Sequence, residues 1–259
     1  MAMMEVQIKK AIKAGNSSAV ILPRSWLNKV IRVELIKKTE EIILSETLEI
    51  LKKYIELSDV IGIYLVGSYA RREEDNESDI DILVVTRDYD KEIIYEGIYN
   101  ILLISKELVK QKLEKDLFPI GQMIRESRPL LNADYLNYMK VNITKDNIKW
   151  YIDTTKDKLR LIEKMSDKVK DKESKVNNKI AYTLILRIRT LEIIKKLMKE
   201  EDYSKKEFVE LIKKVSGTPK AYEAYLSVKN NQKENSLINV EQTQKLYTYL
   251  KKQLEEVVK

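Results

Sequence analysis

Two apolar runs constrain the fold more than any other feature of the chain. Val60–Val66 (VIGIYLV) is uncharged and rich in β-branched residues, and Ile80–Val85 (IDILVV) follows it after a polar stretch, residues 73–78 (EEDNES). Runs this short and this apolar suit strands buried on both faces of a sheet. Ile98–Ile104 supplies a third. Helical spacing surrounds them. Leu44, Leu48, Leu51 and Ile55 recur on one face over residues 41–57, and residues 106–115 and 119–127 are further helices, with Arg128-Pro129 marking a boundary. Strands interleaved with helices predict an α/β unit over residues 41–131.

The first run ends in Gly67-Ser68-Tyr69-Ala70-Arg71, and the second opens on Asp79-Ile80-Asp81. A glycine lets the backbone come close to a ligand, and N–H groups at the start of a helix favour a phosphate. Residues i and i+2 of a strand share a face, so Asp79 and Asp81 point the same way. Two adjacent carboxylates are costly without a cation, and oxygen ligands suit Mg²⁺ or Mn²⁺. A phosphate cradle beside paired carboxylates fits metal-assisted nucleotidyl transfer. The bland alternative is a plain turn followed by two solvated aspartates. Two charges set into the start of an apolar strand argue against it. The chain has no His and no Cys. That removes disulfides, Cys/His zinc sites, Ser-His-Asp triads and Cys-His nucleophiles.

The segment GSYARREEDNESDIDILVV resembles the G-S-x(10)-D-x-D signature of the DNA polymerase beta-like nucleotidyltransferase superfamily, and within it the minimal nucleotidyltransferases. The resemblance covers about residues 42–131. It implies an α/β fold with a small mixed sheet. It also implies Gly67 and Ser68 at the triphosphate of an NTP, Arg71 beside them, and Asp79 and Asp81 as catalytic metal ligands for Mg²⁺ or Mn²⁺. Two departures stand out. Arg72 replaces a glycine often found there, and the next strand lacks the third carboxylate usual in the family. Asn100 stands roughly where that acid is expected; Glu96, just before the strand, could replace it only in another register.

Residues 6–36 read as short strands: Val6–Ile8, a Gly15–Ser18 turn, Ala19–Leu22 stopped by Pro23, a single turn at Ser25–Leu27, and Ile31–Leu35. A unit this small cannot bury a core alone, which predicts a dimer. VQIKKAIKAGNSSAVILPRSWL is similar to the AbrB/MazE-like (SpoVT-AbrB) swapped-hairpin DNA-binding family. The similarity implies a homodimer in which Lys9, Lys10, Lys13 and Arg24 contact DNA. A dimerisation hairpin without DNA binding is the alternative.

Beyond Asn132 the pattern is helical throughout. Ile148, Ile152, Leu159, Ile162, Met165 and Val169 form one stripe, and Ile180, Leu184, Ile188, Leu191 and Ile194 another. Shorter helices follow near 205–215 and 219–229, and Leu246, Leu250 and Leu254 mark a last one. Such stripes predict a helical bundle. It resembles the helical domains that follow many minimal nucleotidyltransferases; the related HEPN ribonucleases need a His that this chain lacks. Tyr182, Arg187, Arg189, Tyr222 and Tyr225 could line a substrate groove or belong to the core.

The expected organisation is thus multidomain α+β: a swapped-hairpin β unit (1–40), a nucleotidyltransferase domain (41–131) and an all-α helical domain (132–259). Net charge by segment is +4 for residues 1–45 (8 basic, 4 acidic), −6 for 46–131 (12 and 18) and +9 for 132–259 (28 and 19). Basic ends attract polyanions. The start has no apolar signal segment and no run is long enough to span a membrane, so a cytoplasmic location is expected. Two functions follow. One is transfer of a nucleoside monophosphate from NTP to an unknown acceptor. The other is DNA-binding, antitoxin-like regulation by a catalytically weak or inactive nucleotidyltransferase fold.

Overall fold

The seven-residue register Ile80–Thr86 against Tyr99–Ser105 is what fixes the central layer, because it aligns two apolar strands in parallel. The computed structural model describes residues 9, 11–33, 38–75, 78–166, 174–230 and 237–258. The chain divides into two units, Met1–Lys38 and Thr39–Lys259.

In the first unit β1 (Ile12–Ala14) pairs antiparallel with β2 (Ser17–Ala19). Gly15 makes the turn at φ +64°, a left-handed conformation that suits glycine. A single 3₁₀ turn covers Arg24–Trp26 after Pro23. The hairpin is shorter than expected: Val20–Leu22 and Ile31–Val33 carry no strand, while Val6–Ile8 and Leu35 lie outside the described residues. A strand needs a pairing neighbour, and apolar content alone does not supply one. Ile21, Leu27, Val30 and Val33 are all at least 70% exposed.

In the second unit α1 (Glu40–Leu51) starts on Thr39, whose hydroxyl accepts from the Ile42 N–H. Glu40 and Glu41 complement the helix dipole there. The helix stops six residues before its expected end, in turns that lead into β3 (Val60–Val66). Next come α2 (Gly67–Ala70), β4 (Ile80–Thr86), β5 (Lys91–Glu96) and β6 (Tyr99–Ser105). They are followed by α3 (Lys106–Lys115), α4 (Ile120–Glu126) and β7 (Arg128–Leu131).

The sheet order is β5-β6-β4-β3-β7, parallel between β4 and β6 and antiparallel elsewhere. The two edge strands, β5 and β7, were not expected from the sequence. Ile94 of β5 is buried while Ile93 and Tyr95 are exposed, and β7 contains Pro129. Proline is tolerated at a sheet edge. One face of the sheet (Ile63, Leu65, Ile80, Ile82, Tyr99, Ile101) packs on α1 through Ile43, Ile50 and Leu51. The other (Tyr64, Val66, Leu83, Val85, Ile104) packs on Val109 of α3 and on Ile120 and Ile124 of α4.

The chain continues through α5 (Ala133–Tyr138), α6 (Lys149–Ser166), β8 (Lys175–Val176) and α7 (Asn178–Met198). It ends with α8 (Lys205–Ser216), α9 (Lys220–Lys229), β9 (Ile238–Asn239) and α10 (Val240–Val258). Ile152, Leu159, Leu184, Ile188, Leu191, Phe208, Ile212, Ala224, Leu246 and Leu250 form one core, which also takes in Leu117 from the α3–α4 connection. Val169 and the Met165 side chain, both assigned to a stripe, lie outside the described residues.

Candidate active site

The site is built where β3 turns into α2. Gly67 has φ +71°, and a Cβ placed on it would lie 2.3 Å from Oδ2 of Asp81. Only glycine lets the turn and the carboxylate come this close. Asp81 is opposite Val66 on β3 and in register with Asn100 on β6. Nδ2 of Asn100 donates to Oδ1 of Asp81 at 3.1 Å. Asn100 therefore stands beside Asp81. Glu96 does not. It is opposite Tyr99, whose hydroxyl bonds Glu46 of α1, and it accepts from Lys53 at 2.5 Å and from Tyr54 at 3.3 Å. Strand alternation puts it on the wrong face.

Burial raises the Asp81 carboxyl above the usual carboxylate range. The Asn100 amide pulls it down, Asp79 and Glu126 push it up, and Lys229 at the end of α9 pulls it down. Asp79 is exposed, just ahead of β4. Ser68 is half-buried in α2, and its carbonyl accepts from the Glu73 N–H.

Arg71 is largely buried between two carboxylates. Its Nε donates to Glu73 at 2.9 Å and its Nη1 to Glu126 at 2.5 Å. Burial alone would lower its pKa; Glu126 and Glu73 outweigh that and raise it. Glu126, the last residue of α4, also accepts from the Gly67 N–H at 2.8 Å and from Gln122 at 3.2 Å. Glu73 reaches across to the start of α8, accepting from the Lys205 N–H at 2.8 Å and from Ser204 at 3.2 Å. Sequence reasoning missed Glu73, Glu126 and Lys229, since no motif marks them.

Among the residues proposed for a groove, Arg189 lies over the ring of Tyr203 at 5.5 Å, with Arg71 over the same ring at 5.6 Å. Tyr182 stacks on Tyr225 at 5.4 Å, and Tyr222 tilts against Tyr225 at 5.5 Å. Arg187 is apart from them: it donates to Thr154 of α6 at 2.9 Å and covers Tyr151. In the other unit, Lys9 and Arg24 are exposed. Lys10 lies outside the described residues, as does the Lys13 side chain, although residue 13 is on β1.

Residues 44–215 match the family model described as the nucleotidyltransferase domain. The chain belongs to that family. Among solved structures it is similar to a nucleotidyltransferase-like protein from Exiguobacterium sibiricum, at 15% identity over 83% of this chain and 75% of that one, with a TM-score of 0.36. It is also similar to a spectinomycin adenyltransferase from Enterococcus faecialis, solved with ATP and spectinomycin, at 16% identity over 82% of this chain and 99% of that one, with a TM-score of 0.43. No curated protein sequence matches. Among the described residues no helix is long and apolar enough to cross a membrane.

Proposed function

We propose that the chain binds an NTP with Mg²⁺ or Mn²⁺ and transfers its nucleoside monophosphate to an acceptor hydroxyl. The observation that carries this is the contact of Gly67 with Asp81, which sets a backbone N–H suited to a phosphate beside the Asp81 carboxylate. The donor set fits a hard cation. Burial, with Asp79 and Glu126 nearby, pushes the Asp81 carboxyl up, and a cation would favour its charged form. Among the described residues no third acid joins a metal-ligating cluster, and a cation such as Mg²⁺ keeps several waters in place of missing ligands.

In the reaction the acceptor oxygen bonds to the α-phosphorus, the bond to the β-phosphate oxygen breaks, pyrophosphate leaves, and the hydroxyl proton passes to solvent. A bound cation supplies charge neutralisation on the phosphates. Asp79 and Asp81 would hold it, Gly67, Ser68 and Arg71 would orient the triphosphate, and Asn100 fixes the Asp81 carboxylate. The test is to incubate the purified chain with each labelled NTP and Mg²⁺ or Mn²⁺, scoring pyrophosphate release and self-labelling. Asp79→Asn with Asp81→Asn should abolish nucleotide binding; a double variant that binds like wild type would overturn the assignment.

Asn100 favours a second reading, in which turnover is weak and the fold senses nucleotide in a DNA-binding regulator. An amide has neither the charge nor the basicity of the missing acid. In this reading Lys9, Lys10, Lys13 and Arg24 meet DNA phosphates, and the unit is a homodimer through its exposed Ile21, Leu27, Val30 and Val33. Deleting residues 1–38 should then leave a monomer; light scattering that shows an unchanged dimer would remove the homodimer proposal. Replacing Lys9, Lys10 and Lys13 by Ala should flatten the salt dependence of DNA binding.

A further inference from the structure

Glu126 holds the two donors that the nucleotide reading assigns to phosphate. Its Oε1 accepts from the Gly67 N–H at 2.8 Å and its Oε2 from Arg71 at 2.5 Å. Two oxygens of one phosphate group would make the same pair of contacts. A carboxylate at the last residue of a helix is on the unfavourable side of that helix's dipole, so the position is held by these external donors and by Gln122 at 3.2 Å. The side chain is 11% exposed, so it fills the place instead of standing in water near it.

We propose that Glu126 is a built-in competitor of the triphosphate, so that the turn is closed by the chain's own carboxylate until a nucleotide displaces it. This rests on the nucleotide reading above. The single N–H of Gly67 cannot serve both Glu126 and a phosphate, so phosphate binding at the turn requires Glu126 to leave. A cavity of about 390 Å³ next to it offers room for the displaced carboxylate, and its lining carries Arg72 together with Arg125 and Lys196, which already face Asp202 and Glu201. Measured affinity is then the intrinsic affinity multiplied by the fraction of molecules in which the turn is open.

The experiment is titration calorimetry on the full chain with two probes, MgATP and magnesium tripolyphosphate, the second lacking base and sugar. Wild type is compared with Glu126→Ala and Glu126→Gln. Charge-assisted hydrogen bonds are the stronger class, so Glu126→Ala should bind both probes on the order of tenfold more tightly. Glu126→Gln, which keeps the side chain's size and loses its charge, should fall between. Equal or weaker binding by both variants, with wild type binding and Asp79→Asn/Asp81→Asn not binding, would overturn the competitor role and leave the nucleotide reading standing. Weaker binding together with lost turnover would make Glu126 a ligand of the bound state instead, which also overturns the proposal. If neither probe nor any other NTP binds to any of the proteins, the nucleotide reading falls and takes the competitor with it.

Discussion

The amide of Asn100 donates to the carboxylate of Asp81 at 3.1 Å, across the only parallel strand pair of the five-stranded sheet. The bond disperses part of the Asp81 charge while adding no charge of its own. It also fixes which way the carboxylate faces. Asn100→Asp exchanges this donor for a third acid. The metal-free variant should lose about 1–3 kcal/mol of stability, from the lost bond and the new repulsion. Mg²⁺ should restore much of it, giving a larger Mg²⁺-dependent rise in Tm than in wild type. Nucleotidyl transfer should become faster. A variant with neither change would place Asn100 outside the chemistry.

Gly67→Ala should be far more disruptive than its size suggests. The added Cβ meets Oδ2 of Asp81 at 2.3 Å, and the backbone sits at φ +71°. Strain of this kind typically costs about 1–3 kcal/mol. Relief by pushing Asp81 aside would break its bond from Asn100. Chemical denaturation should show the loss of stability, and nucleotide binding should disappear with it. A variant as stable as wild type would mean that the turn relaxes freely.

Arg72→Gly should act in the opposite direction. Arg72 has φ +59°, in the left-handed region where side chains are disfavoured. Glycine removes that strain at some cost in chain entropy, for a net gain of roughly 0.5–1 kcal/mol. The family resemblance marked this position as one where glycine is usual, and the backbone angle supplies the reason. A lowered Tm in the variant would show that the Arg72 side chain contributes more than its backbone costs.

Glu73 links stability to pH. Burial alone would raise its carboxyl, but Arg71, the Lys205 N–H and Ser204 together hold it below the usual glutamate range. A depressed carboxylate contributes stability above its unfolded pKa, near 4.3. That contribution is lost as pH falls through the lower folded value. Glu73→Gln should therefore be less stable than wild type at pH 7, and the gap should narrow as pH falls below about 4. Urea unfolding at a series of pH values measures it. A gap that stays constant with pH would assign the effect to packing.

The inner strands β3, β4 and β6 were legible because their signals are local. Val60–Val66 is apolar without interruption and Ile80–Val85 is broken only by Asp81, and strand period alone led Asp79 and Asp81 to be read as sharing a face. Gly67 was marked by its place at the end of a buried run. Glu126 was not legible: it meets Gly67 from 59 residues away, and a lone glutamate at the end of a short helix forms no pattern. Lys229 is hidden for the same reason, since only the packing of α9 brings it toward Asp81. The edge strands β5 and β7 were missed because an edge needs only one buried face, which leaves a short and mixed signature. Glu96 was a candidate only while the register was open; its contacts with Lys53 and Tyr54 place it on the α1 side.

The reach of Glu73 to the first turn of α8 has one more consequence. The same carboxylate that steadies Arg71 also caps a helix of the α-helical part, and the Tyr203 ring lies against both Arg71 and Arg189. The segment after α2 and the start of α8, which both line the cavity described above, are thus riveted together before any ligand arrives. Molecules entering it meet a gap of preset width, so little ordering entropy is spent on admission. In the proposed transfer, discrimination among acceptors would then work as a gauge works: by what fits the opening.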